Sequence, residues 1–507
     1  MKSFSVAAAI AAFATLALAG PAPAPISSPT EALVERDLPL VQSNQLRRVL
    51  LRSELLAKAR ILEGFAYNTT GRNRQIFTPG HKATYEYIYK FMSDNGYDVE
   101  YNEFFAATSS GSLVVDGVNI PARPMTFTPS GKPTGRLVKV NNIGCEASDY
   151  PAAVSGGVAL VLRGTCPFAQ KARLAGLAGA VGTVIYNNVA GPLDGTLGAA
   201  DPAFVPTVGI SDTAGASLVS QLATATKTAS LDVLVTDLPT YNVIAQTKGG
   251  DKDNVLLVGA HTDSVNAGPG LNDNGSGTIA LLEIAKQLTA FKTNNAIRFG
   301  FWSAEEVGLV GSTRYANGLS EAELAKITLY LNFDMLASPN YVYAIYDGDG
   351  SAFNISGPPG SAAAEKLFED YFRNDVGLNT IPTAFDSRSD YAAFAARGVP
   401  VGGLFTGAEV KKTPEQAVLF GGQAGVAYDV NYHGAGDNVS NLNVGAWIQN
   451  TKAIAHAVAT YGISFASLGL GKRDIEKRSE WVQEVPSVAD QGHEHISSGC
   501  GHEKAEI

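Results

Sequence analysis

The stretch Val255-Leu256-Leu257-Val258-Gly259-Ala260-His261-Thr262-Asp263-Ser264 is an apolar run that ends abruptly in a histidine and an acid. It reads as a strand buried on both faces. The same pattern recurs at Ala296 to Trp302, at Ile327 to Phe333 and at Val399 to Phe405. Between and after these runs, Thr278 to Leu288, Gly311 to Gly318 and Val444 to Tyr461 read as helices. Strands apolar on both faces that alternate with helices predict an α/β fold, with a largely parallel sheet covered on both sides. In such sheets ligands bind beyond the carboxyl ends of the strands.

Those strand ends are where the chemistry-bearing residues gather. Period-two geometry puts His261 and Asp263 on one side, so Asp263 can orient the imidazole. Gly270 to Gly277 then forms a loop that points Asp273 towards the same edge, and Asn or Asp at a helix start also caps it. After Trp302, Glu305 and Glu306 follow in succession. Adjacent buried carboxylates repel one another and lose hydration unless cations hold them, so a metal site explains them better than solvation does. Asp334 follows the third strand, and Tyr432-His433-Gly434-Ala435-Gly436-Asp437 supplies a second histidine. Of the seven histidines, His81 and His456 belong to helical patterns and three lie in the C-terminal tail, which leaves His261 and His433 as the candidate ligands. Two histidines and three carboxylates suit a pair of zinc ions, and one glutamate is left over for proton transfer.

Composition bounds the rest. The chain has 507 residues, 45% apolar and 17% charged, enough for more than one domain with a sizeable core. A net charge of −10 without basic clusters in the body argues against nucleic acid and anionic membranes as partners. Lys2, the apolar run Val6 to Ala19 and the small residues Ala17-Leu18-Ala19 form a secretory signal. No other stretch reaches the roughly 18 apolar residues of a spanning helix. The expected layout is a signal over 1–19, a propeptide over 20–40 and the first part of the main domain over 41–130. An insert over 131–238, the catalytic part over 239–466 and a polar tail over 467–507 complete it. Leu40 to Leu62 and His81 to Met92 have helical spacing, and Tyr97 to Phe105 reads as a strand. Cys145 and Cys166 could close a loop of about twenty residues, worth roughly 3 kcal/mol; Cys500 is left over in the tail, which also carries dibasic pairs at Lys472-Arg473 and Lys477-Arg478. Asn68, Asn354 and Asn438 head sequons expected to carry glycans, whereas the sequon at Asn274 lies inside the densest motif and is expected to be buried and unmodified.

The ordered motif set resembles the co-catalytic zinc aminopeptidases, of the aminopeptidase Y and secreted leucine aminopeptidase type. The insert looks like a protease-associated domain, whose family commonly carries a disulfide where Cys145 and Cys166 stand. The resemblance implies a three-layer α/β/α zinc-peptidase domain with a mostly parallel mixed sheet, plus a small β-rich insert. It implies two zinc ions per subunit, one held by His261 and Asp334, the other by Glu306 and His433, with Asp273 bridging. Glu305 then becomes the general base and Tyr432 the donor to the developing oxyanion, with Asp263 and Asp437 behind the ligands. Arg388, in Ser387-Arg388-Ser389-Asp390-Tyr391, is implied to contact the substrate backbone; an ion pair with Asp390 is the equally weighted alternative. The expected activity is removal of an apolar N-terminal residue, leucine above all, from peptides with a free N-terminus, by a secreted monomer.

Other members of the same fold are carboxypeptidases and glutaminyl cyclases. A carboxypeptidase needs cations to hold a terminal carboxylate, and no basic cluster sits beside the metal motifs, whereas acids already present can hold an α-amine. A binding ectodomain without turnover is the reading from a different class; such proteins usually lack part of the metal set, which is complete here.

Overall fold

A computed structural model describes residues 38–470. The signal, nearly all of the expected propeptide, Cys500 and the dibasic pairs lie outside the described residues. The described residues from Pro39 to Leu470 form one compact unit.

The four apolar runs lie side by side as parallel strands in the order Val401–Phe405, Ile327–Phe333, Asp251–His261 and Asn295–Trp302. Alternation sends Leu256, Val258 and Ala260 into one apolar layer and Leu257 into the other. The first layer is closed by helices Arg52–Tyr67, Gly275–Leu288 and Val444–Ile463, and the second by Val310–Gly318 and Tyr391–Ala396. Antiparallel strands flank this centre, Ala344–Tyr346 beside Val401–Phe405 and Thr228–Gln246 beside Asn295–Trp302, which makes the sheet mixed.

The helical pattern over Leu40 to Leu62 is broken in two, as Ser43–Arg48 and Arg52–Tyr67. Leu51 is extended between them, and this re-aims the chain so that Leu46, Leu50, Leu55 and Leu62 all reach the core. The expected strand at Tyr97 is also longer than its apolar pattern, running over Asp98–Val115. It pairs antiparallel with Thr228–Gln246 along its full length. These two long strands carry the sheet out of the peptidase body and into the insert. There Thr134–Lys139, Val158–Leu162, Gly182–Tyr186 and Thr207–Ile210 continue it, with two helices, Phe168–Leu177 and Asp212–Leu222. The insert has apolar clusters of its own, and Cys145 is bonded to Cys166. Among the described residues no helix is long and apolar enough to cross a membrane.

Candidate active site

Strands of matched register end level with one another. His261 pairs with Trp302 across the parallel ladder, so residues just after each strand meet at one edge. His261 closes its strand, Asp334 follows Phe333, and Glu305 and Glu306 occupy the turn after Trp302, where Ala304 and Leu309 both have positive φ. Asp273 precedes helix Gly275–Leu288, whose first turn is capped by Asn274 through the Gly277 amide. Asn274 is buried and also donates to the Phe333 carbonyl, so its sequon faces the interior.

Asp273 stands between the two histidines. Its Oδ1 lies 3.2 Å from His261 Nε2 and its Oδ2 lies 3.1 Å from His433 Nε2. Asp334 Oδ1 is 3.4 Å from His261 Nε2, and Glu306 Oε2 is 3.0 Å from His433 Nε2. Two triads result, His261–Asp273–Asp334 and Asp273–Glu306–His433, each with one ligand atom per residue within 4.8 Å of the others. Both ring nitrogens of His261, Asp334 Oδ1 and Glu306 Oε1 are buried without a hydrogen-bond partner. Buried polar atoms seldom stay unpaired, and a nitrogen and oxygens converging within such distances match the donor set of zinc. The residues therefore fit two cations that share Asp273. Glu305 belongs to neither triad; its Oε2 is 3.9 Å from His261 Nε2.

The electrostatics carry the same message. Burial pushes Glu305 well above the ordinary carboxylate range, Asp390, Asp334 and Glu306 push it further, and His261 opposes them. Burial also raises Glu306. Burial works against protonated His433, yet Glu306 and Asp273 lift it to about 10; His261 is raised for the same reason by Asp334 and Glu305. A field that holds protons on two imidazoles is one that divalent cations would neutralise.

The supporting shell differs in part from the sequence reading. Asp263 does not hold His261 by a hydrogen bond, since Oδ1 is 3.7 Å from Nδ1. Its carboxylate instead accepts the amides of Glu305 and Glu306, at 3.2 and 3.3 Å, because the glutamate turn folds back over the end of the histidine strand. Asp437 accepts the amides of Asn272 and Asp273, at 2.8 and 3.0 Å, and so fixes the bridging acid. Ser389, which the motif reading passed over, donates to Asp334 Oδ2 at 2.7 Å. It ends a buried relay from Trp302 through Tyr330 and Asn332. A serine in a short polar segment carries no periodic signal, so only the fold could reveal it.

Arg388 does not pair with Asp390. Its guanidinium donates to Glu409 Oε1 at 2.9 Å and to the Tyr432 hydroxyl at 3.3 Å, at the rim of the cleft. Asp390 points inward, buried, with neither oxygen hydrogen-bonded, and burial raises it to about 7. Tyr432 stacks on the His433 ring at 3.8 Å between centroids. Met335, Tyr346, Thr383, Ala384, Phe405 and Ala408 line the cleft beside the triads. Of the sequons, Asn68 and Asn354 are exposed, while Asn438 is half-buried and its Oδ1 accepts from Ser440.

Comparison with known proteins agrees with this geometry. The profile of peptidase family M28 matches residues 242–458, and that of the PA domain matches 133–218. The chain is 48% identical over 474 residues to leucine aminopeptidase 2 of Arthroderma otae, covering 92% of this chain and 93% of that protein. It is also 48% identical to the probable leucine aminopeptidase 2 of Aspergillus fumigatus, with 92% and 95% covered. Among solved structures it is similar to an aminopeptidase from Aneurinibacillus sp. strain AM-1, with 27% identity, a TM-score of 0.62 and coverage of 82% and 95%. The fold is shared with a zinc aminopeptidase of Bacillus subtilis, with a TM-score of 0.66, 24% identity and coverage of 83% and 96%. The chain belongs to peptidase family M28, as a zinc-dependent aminopeptidase with an inserted PA domain.

Proposed function

We propose that the chain is a secreted exopeptidase that removes leucine or another apolar residue from peptides with a free N-terminus, using two zinc ions. One observation carries the two-metal reading: the two oxygens of Asp273 each face a different histidine, at 3.2 and 3.1 Å, with orphaned acceptors on either side. His261 and Asp334 would hold one ion, and Glu306 and His433 the other. Zinc bound there would supply Lewis acidity and bring the pKa of a coordinated water towards about 7.

The chain's own residues do the rest. Glu305, buried beside the triads but in neither, accepts the proton of the attacking water and returns it to the leaving amine nitrogen. Its raised affinity for protons suits that exchange, because a base works best with a pKa near the working pH. Tyr432, which also lines the cleft, directs its hydroxyl at the carbonyl oxygen as charge builds there, and Arg388 steadies that hydroxyl at 3.3 Å. The apolar wall of Met335, Tyr346, Phe405 and Ala408 supports the preference for an apolar first side chain. Among the described residues lining the cleft Arg388 is the only arginine or lysine, and it is tied to Glu409, which favours an amine end over a carboxylate end in the site.

The test is metal content together with dipeptide selectivity. The purified protein should contain two zinc ions, cleave a C-blocked leucyl dipeptide and leave the N-blocked form intact; equal cleavage of the two, or cyclisation of glutaminyl substrates without hydrolysis, would refute the reading.

A further inference from the structure

Residues 262–270, which lead from the histidine strand to the turn of the bridging acid, contain no regular element. Asn73 donates to the Asn266 carbonyl at 2.9 Å and His81 meets the Thr262 hydroxyl at 3.1 Å, but one distant side chain makes three of the ties. Arg74, in the segment before helix Pro79–Asp94, has no exposed surface. Its Nη1 donates to the Thr262 carbonyl, its Nε to the Pro269 carbonyl at 2.9 Å and its Nη2 to the Gly270 carbonyl. Its backbone amide donates to Ser264 Oγ at 2.9 Å, and that hydroxyl donates in turn to the Gly268 carbonyl at 3.0 Å.

Thr262 adjoins His261, and Gly270 stands three residues before Asp273. The guanidinium thus grips both ends of the link between two of the five metal-facing residues. Its guanidinium hydrogen bonds all go to backbone carbonyls, although Asp263, Asp437, Asp273 and Glu306 act on it through space. A buried cation that spends its donors on carbonyls serves geometry first and charge second. Gly270 shows how closely the parts fit: its φ is +65°, and a side-chain carbon there would lie 2.4 Å from the Asp273 carbonyl and 3.2 Å from Arg74 Nη2. The carbonyl of Gly270 also receives the Gly275 amide at 3.0 Å, so the clamp extends to the start of the helix behind Asp273.

We propose that Arg74 is a positioning residue of the metal centre, clamping the 262–270 loop so that Asp273 stands between His261 and His433 before any cation arrives. This rests on the two-zinc reading above. Lysine at this position keeps the charge but cannot span three carbonyls, so Arg74→Lys separates geometry from charge.

The experiment is a competition titration of chelator-stripped, full-length protein with zinc against a chromogenic chelator, accompanied by thermal unfolding of the stripped and loaded forms. Arg74→Lys should lower zinc affinity by about tenfold or more, the range seen when partners of metal ligands are removed. Both ions should be affected, because Asp273 faces both histidines. The rise in unfolding temperature on adding zinc should shrink. A merely structural role would lower stripped and loaded forms equally and leave affinity unchanged, and that result would overturn the proposal. Ser264→Ala, which removes one tie, is the milder variant: it should weaken zinc binding several-fold, and if Arg74→Lys fails to fold, unchanged affinity in Ser264→Ala overturns the clamp. A wild type that takes up a single ion would sink the two-zinc reading instead, while the ratio of wild-type to variant affinity for that ion would still decide the clamp.

Discussion

Asp263→Asn distinguishes the role seen for Asp263 from the one its spacing suggested. The carboxylate accepts the amides of Glu305 and Glu306 at 3.2 and 3.3 Å, and all three groups are buried or nearly so. An asparagine can accept one amide through its oxygen but must turn its NH2 towards the other, leaving a buried donor unpaired. That costs about 1–3 kcal/mol, and the lost charge assistance adds a fraction more. In the metal-free protein the glutamate turn can relax to relieve the clash. With metal bound it cannot, because Glu306 must meet His433 and Asp273, so the cost falls on metal binding. At 1.4 kcal/mol per factor of ten, about 1.5–3 kcal/mol corresponds to a roughly 10- to 100-fold weaker zinc site. Zinc affinity of the stripped variant should fall by that factor, mostly at the site containing Glu306, with activity restored at high zinc concentration. Wild-type affinity in a folded Asp263→Asn protein would refute this account of the turn.

Glu305→Gln should retain both ions, since Glu305 completes neither triad, yet lose roughly 10²- to 10⁴-fold in kcat; loss of a zinc ion on elemental analysis would place it among the ligands instead. Lys58 and Glu283 form a buried pair at 2.6 Å that docks helix Arg52–Tyr67 onto helix Gly275–Leu288. Lys58→Met should destabilise the fold by about 3–5 kcal/mol through the stranded carboxylate, and Lys58→Met with Glu283→Leu should recover most of it in denaturant unfolding. His81, wedged between the Thr262 and Ser303 hydroxyls at 3.1 Å each, is held down to about 4 by burial, with Arg74 and His261 adding to this and Asp263 opposing. Its folded pKa lies below the unfolded 6.5, so the unfolded chain binds more protons between those values. Stability is complete above pH 6.5 and declines as pH falls towards 4, by up to about 3 kcal/mol from this group. Chelator-stripped His81→Gln should show that much less acid sensitivity between pH 7 and pH 4; an unchanged slope would rule the group out.

Much of the centre is legible in the sequence. Strand ends are recognisable because an apolar run cannot continue into His261, Glu305 or Asp334 without leaving the core, and a sheet brings such ends to one edge whatever the intervening length. Local order therefore sufficed to nominate His261, Asp273, Glu305, Glu306, Asp334 and His433, and the structure brings all six together. The burial of Asn274 was likewise readable from its place inside the motif.

The supporting contacts were decided by tertiary structure alone. Asp263 serves the glutamate amides because the turn after Trp302 folds over it, and Arg388 meets Glu409 and Tyr432 because the 406–433 segment returns along the cleft. Ser389 reaches Asp334, and Arg74 grips a loop some 190 positions away, through hydrogen bonds that leave no periodic trace. Burial imposes a pattern on sequence because every residue of an element shares it. A hydrogen bond between distant side chain and backbone depends on one meeting in space, so nothing in the spacing of residues announces it.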